Sequence, residues 1–281
     1  MMSRVKLFTS NWLYLIGMLI LFATIVWLVG WYLSRSANTA ITMPADFQNI
    51  VIGRTHASIL KADDGDICAL LMHGVRSNRM SMIDRARLLK DAGITSLLID
   101  FQAHGETAGE QITFGFREAI DATNAVVYLR NMGHCKKIIA IGHSMGGAAA
   151  LLGQGPIDVD ALVLESVYPT IEEAVEDRLE KRLGTLGKIM APLLYQQIPI
   201  RTGISLTELR PISHLAQLGI PVFIMGGTLD QHTKLAETKR MFNAAPGRKQ
   251  LWLVEGAAHE DLYKFSPDLY KEKLLAFIKT I

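Results

Sequence analysis

Eight short apolar runs recur between residues 50 and 255, and the stretches between them carry helical spacing. The runs are IVI (50–52), ASILKA (57–62), ICALLMH (67–73), ITSLLID (94–100), KIIAIG (137–142), ALVLE (161–165), IPVFIMG (220–226) and QLWLVE (250–255). Several are apolar on both faces, which a strand tolerates only when helices cover it on both sides. The alternation therefore constrains this part of the chain to a mostly parallel, doubly wound α/β sheet.

The intervening helices carry their own punctuation. Gly93 closes a helix through Ile83, Ala86 and Leu89, and Gly133 closes one from Ala119 to Met132. Thr170 and Glu173 form a capping box for a helix whose apolar positions fall at Ile171, Val175, Leu179, Leu183, Leu186 and Met190. A last helix opens at Ser266 and Pro267 and runs through Leu274 and Ile278.

The N-terminus is of another kind. No charged residue occurs from Leu7 to Ser34, and the 22 residues from Trp12 to Leu33 are almost wholly apolar. At about 1.5 Å per residue they reach roughly 33 Å, the thickness of a bilayer's hydrocarbon core. Trp12 and Tyr14 at one end, with Trp27, Trp31 and Tyr32 at the other, have the placement of interfacial belts. A cleaved signal peptide is the competing reading, but its apolar region is normally about 7–15 residues long. An uncleaved anchor is expected. Arg4 and Lys6 precede the helix and Arg35 alone closely follows it, so the positive-inside rule places the N-terminus in the cytoplasm and the large domain outside. The expected organisation is an anchor over residues 1–35, a polar tether over 36–46, and one domain over 47–281. The net charge of +2 over 281 residues gives no footprint for nucleic acid.

Within the domain, Gly142-His143-Ser144-Met145-Gly146 satisfies G-x-S-x-G where the apolar run 137–142 gives way to small helix-forming residues. A strand–turn–helix with glycines on both sides of a serine is the setting of a nucleophile elbow. Further motifs stand in order along the chain: His73-Gly74, Asp100 to Gly105 as D-F-x-x-H-G, Gly226 to Asp230 as G-G-x-x-D, and Gly256 to His259 as G-A-A-H. With them the sequence resembles the α/β-hydrolase family over roughly residues 47–281. The resemblance implies an eight-stranded sheet with a helical cap inserted at about 171–210, and a Ser-acid-His triad in that chain order.

Carried onto this sequence, the resemblance makes Ser144 the nucleophile and His259, in the loop after LWLVE, the general base. Asp230 is the matching acid, with Glu165 at the end of the preceding strand as its rival. Asp230 capping the helix that follows is the structural alternative. The implied oxyanion donors are the backbone N–H groups of Met145 and Val75, with His73 shaping the loop that holds Val75. His143 is read as a packing residue. The family's D-x-R-G-H-G-x-S loop departs here, with Gln102, Ala103 and Thr107 at the arginine, first-glycine and serine positions, so Asp100 and His104 are read as structural support. No cofactor and no metal site is implied, because the two cysteines and eight histidines lack ligand spacing.

If the sheet is the family's, Cys68 lies on a strand beside the one that follows Cys135, both toward the edge away from Ser144. A bridge is then within range if the register permits, although two reduced, unrelated thiols are the favoured expectation. The cap helix through Leu179 and Leu186 is expected either to roof an apolar acyl pocket or merely to pack on the sheet. The resulting expectation is a membrane-tethered serine hydrolase, esterase-like or lipase-like, acting on a small-molecule or lipid ester or thioester. Peptidase action and a non-catalytic binding module of the same fold are the alternatives.

Overall fold

The computed structural model describes residues 2–63 and 65–281, with side chains from residue 12 onward. Along Ile67–Met72, Cys68, Leu70 and Met72 enter one buried cluster while Ala69 and Leu71 enter another. That strand is apolar throughout because side chains alternate across a sheet with a core on each face. All eight apolar runs become strands: β1 Gln48–Ile52, β2 Thr55–Leu60, β3 Ile67–Met72, β4 Thr95–Ile99, β5 Lys137–His143, β6 Ala161–Glu165, β7 Val222–Gly227 and β8 Lys249–Val254. They form one sheet in the order β8-β7-β6-β5-β3-β4-β2-β1. The β1–β2 and β2–β4 pairings are antiparallel; every other pairing in this sheet is parallel.

The N-terminal helix α1 spans Met2–Ser34, and its stretch Trp12–Ser34 has mean hydropathy 2.4 and is almost wholly exposed. That length and composition suit a membrane span or a signal sequence alike. The Arg4 and Lys6 side chains, on which the expected orientation rests, lie outside the described residues. Beyond α1 the chain does not swing free: Ala37–Asn38 pair with His104–Gly105 as a small parallel ladder, and Asn38 donates to the carbonyls of Gly105 and Thr107 at 3.0 and 2.8 Å.

Between the strands, α2 (Ile83–Asp91) and α3 (Glu118–Asn131) end where expected, followed by Gly93 and Gly133 at φ +77° and +78°. The short helix α4 (Met145–Ala149) follows β5. The segment expected as a cap differs from its sequence pattern. One continuous helix to Met190 was expected, but α5 (Ile171–Leu183) stops at Gly184, whose φ is +61°, and α6 (Thr185–Met190), α7 (Pro192–Tyr195) and α8 (Gln197–Thr202) follow as separate short helices. The apolar stripe is consequently split: Ile171 is buried and Val175 packs against the core, whereas Leu183 and Leu186 are exposed. At the start of α5, Thr170 accepts from the Glu173 N–H at 3.3 Å as expected.

The cysteines give a second correction. Cys68 and Cys135 are joined in a disulfide, with Cα atoms 5.4 Å apart. The neighbouring strands β3 and β5 are in register with Cys68 opposite Ile138, which brings the turn holding Cys135 alongside. Alternation on a strand did not limit Cys135, because it precedes β5.

Candidate active site

Ser144 sits where β5 turns into α4, with φ +50° and ψ −115°. A non-glycine residue in that region is strained, and such strain persists only where the surroundings impose it. Here the imposed packing is visible in the flanking glycines. A Cβ on Gly146 would strike the Met72 and His73 carbonyl oxygens, and one on Gly142 would strike the Gly147 backbone. The G-x-S-x-G spacing is thus required by the close approach of α4 to β3 and β5. The turn places Ser144 at the carboxyl edge of the sheet, almost completely buried, with Oγ free of any hydrogen bond among the described residues.

A cavity of about 310 Å³ opens at this edge, lined by Gly74, Val75, Ser144, His232 and His259 among others. His259 Nδ1 donates to Asp230 Oδ2 at 2.8 Å. The other carboxylate oxygen, Oδ1, accepts the His232 and Thr233 N–H groups at 2.7 and 2.9 Å. Asp230 therefore both caps its own turn and orients His259. Burial alone raises its pKa, but the hydrogen bond and charge of His259 with the two N–H donors outweigh this and hold the carboxyl below its usual range.

The rival acid is committed elsewhere. Glu165, fully buried at the end of β6, accepts from Arg85 Nε at 3.0 Å and Nη2 at 2.6 Å, and from the Tyr270 hydroxyl. Asp261 completes this group with an oxygen 2.9 Å from Arg85 Nη2. Burial works against the Arg85 charge, but Glu165 and its neighbours more than reverse that and hold its pKa well above normal.

His73 ties two loops together beside the site. His73 is fully buried, its Nδ1 donating to the Gly74 carbonyl at 2.7 Å and its Nε2 accepting from the Phe101 N–H at 3.2 Å. Burial pushes its pKa down to about 3, so it stays neutral and can bridge the two loops in this way. Val75 lines the cavity beside Ser144. Met145 is the first residue of α4 and its side chain is buried in the core, so only its backbone N–H can serve the site. Asp100 accepts from Arg79 and from the Glu106 N–H, a structural role, and Ala103 occupies φ +60° where the family pattern has glycine. His143 lies 5.5 Å from the His259 ring, and burial lowers its pKa to about 4.

The cap contributes differently from the expectation of an apolar roof. From residues 171–210 only Arg178 lines the cavity. Arg178, Arg85, His232 and Asp261 were not singled out in the sequence. Asp261 had a signal in its place two residues after His259, whereas Arg178 lies in the charged run EDRLEKR, which reads as a solvated helix face.

Known proteins share this fold. The alpha/beta hydrolase family model matches residues 69–269. The uncharacterised protein YqkD of Bacillus subtilis is 24% identical over 213 residues, covering 74% of this chain and 70% of that one. Among solved structures, the esterase Pf2001 of Pyrococcus furiosus superposes with a TM-score of 0.71 at 18% identity, covering 88% of this chain and 98% of that one. The esterase Est2 of Thermogutta terrifontis superposes with a TM-score of 0.63 at 17% identity, covering 83% and 92%. At these identities the structural likeness is one of fold.

Proposed function

The chain belongs to the alpha/beta hydrolase family, and from that premise we propose that it is a membrane-tethered serine hydrolase cleaving carboxylic esters or thioesters through an acyl-enzyme. The observation that carries the reading is the convergence of Ser144 and His259 on one cavity, with His259 held by Asp230 at 2.8 Å.

In the proposed mechanism, the Ser144 hydroxyl attacks the ester carbonyl and His259 takes the proton at Nε2, the nitrogen Asp230 leaves free. The negative charge on the carbonyl oxygen is met by the N–H groups of Met145 and Val75. Collapse expels the alcohol or thiol, which leaves with the proton from His259. Water then attacks the acyl-serine, His259 again taking and returning a proton, and the acid is released. Asp230 stays ionised throughout and stabilises the imidazolium.

The proposed organisation is an anchor over residues 1–35, a connection over 36–46 that is docked on the domain through Ala37–Asn38, and a hydrolase domain over 47–281 with its cap at about 171–210. Two contacts join α1 to the domain: Gln197 Nε2 donates to the Val26 carbonyl at 3.2 Å, and the Arg201 guanidinium lies 3.9 Å from the Trp27 ring centroid. The disulfide favours an oxidising compartment for the domain, hence an N-terminus in the cytoplasm. The full-length protein with a graded series of p-nitrophenyl esters tests the activity. Hydrolysis should be abolished in Ser144→Ala, and an undiminished rate in that variant would overturn the assignment.

A further inference from the structure

We infer that the substrate carries an anionic group, a carboxylate or a phosphate, which Arg178 holds while the ester carbonyl lies at Ser144. The inference rests on the hydrolase reading above and narrows its substrate class.

Two arginines line the cavity, and they are in opposite conditions. Arg85 is fully engaged with Glu165, Asp261 and Tyr270. Arg178 makes one hydrogen bond among the described residues, from Nη1 to the Ala174 carbonyl at 2.7 Å, and no ion pair. A guanidinium has five N–H donors in a rigid fork suited to oxyanions. The rest of the Arg178 fork has no partner among the described residues, at the wall of a cavity that also holds Ser144 and His259.

The rotation of α5 explains why this side chain faces inward. Ile171, Ala174 and Arg178 stand at i, i+3 and i+7, on one helical face, and the first two are buried against the core. An apolar side chain would continue that stripe at the third position. Lys234 fixes the rotation from the flank, its Nζ lying 2.7 Å from Asp177 and 2.6 Å from Glu180. Burial lowers the Arg178 pKa, and the nearby Asp230 and Asp177 charges do not cancel that cost. A half-buried, unpaired cation in a ligand cavity is stabilised when an anion arrives.

Arg178 also lies near Asp230, so a purely structural action through the acid must be separated from substrate binding. Two matched ester pairs make that separation with the full-length protein. One is mono-p-nitrophenyl glutarate against its methyl ester, with a carboxylate on the acyl side. The other is 4-acetoxyphenyl phosphate against 4-methoxyphenyl acetate, with a phosphate on the alcohol side. The expected result is a preference in kcat/KM of roughly tenfold or more for the anionic member of one pair, the size of a charge-assisted hydrogen bond. Which pair shows it identifies the anion together with the side of the ester that carries it. The preference should collapse in Arg178→Gln, chiefly through KM, and persist in part in Arg178→Lys. Ratios near one for both pairs in the wild type would overturn the inference, whatever the variants do. So would an unchanged ratio in Arg178→Gln, or an equal fall for charged and neutral esters with a displaced pH profile. If neutral esters are hydrolysed in a Ser144-dependent way while the ratios stay near one, the hydrolase reading stands and this inference alone falls. If no ester is turned over, both fall.

Discussion

Asp230 and Glu165 are both buried carboxylates at the carboxyl edge of adjacent strands, β7 and β6, and by sequence either fits the acid of a triad. Their surroundings divide them. Asp230 meets a histidine and two backbone N–H groups, so it can steady a proton carrier. Glu165 meets an arginine and a tyrosine, so it anchors α2 and the C-terminal helix Pro267–Ile278 to the sheet. The role of a buried acid is set by the cationic or proton-bearing group that folding brings to it. The residue type records only that an acid is needed.

The largest expected effect comes from breaking the first pair. Asp230→Asn should lower kcat on p-nitrophenyl esters by about 10³–10⁴-fold with unchanged circular dichroism, because an amide cannot stabilise the imidazolium. Glu165→Gln should do the converse: turnover persists below the melting temperature, while the loss of charge beside buried Arg85 costs about 3 kcal/mol in denaturant unfolding. Equal kinetic losses in the two variants would erase the distinction between them.

A smaller effect sharpens the contrast between the sheet's two edges. Reducing the Cys68–Cys135 bridge should lower stability by about 2–4 kcal/mol, given a sequence separation of 67 residues. Ester turnover at 25 °C should not change, since the bridge lies toward the edge opposite Ser144. Alkylation of native protein followed by mass spectrometry should find no free thiol, and two free thiols would remove the support for an oxidising compartment.

The smallest effect belongs to Asp261, the outer partner of Arg85. Burial raises its pKa, but the Arg85 charge and hydrogen bonds outweigh this and hold it below the usual value of 3.8. A depressed carboxyl stabilises the fold fully above its unfolded pKa and loses that contribution as pH falls through its folded pKa. Asp261→Asn should therefore cost roughly 1 kcal/mol near pH 7, and its difference from wild type should shrink progressively below about pH 4. A difference that stays constant across that range would show that Asp261 does not act through its charge.

How much was legible follows from the same physics. All eight strands were, because a sheet covered on both faces leaves unbroken apolar runs such as 67–72. Ser144, Asp230 and His259 were placed by the order of short motifs along the chain. The segment 171–210 was not legible: amphipathic spacing ran on through Leu186, but Gly184 takes a positive φ of +61° that ends the helix. Arg178 was hidden inside a charged run because inward rotation depends on the Lys234 contacts, which join distant parts of the chain. The disulfide went against the favoured expectation of two free thiols for a similar reason, since Cys135 precedes its strand and strand alternation says nothing about its direction.

The central claim is that Ser144 is a nucleophile activated by His259, and the residue modified by a fluorophosphonate tests it most directly. Full-length wild-type protein should carry the adduct on Ser144, located by peptide mass spectrometry. The adduct should be absent in Ser144→Ala and should form at least a hundredfold more slowly in His259→Gln, on the order expected for loss of a general base. An adduct on another residue, or labelling of Ser144 at the wild-type rate without His259, would contradict the account.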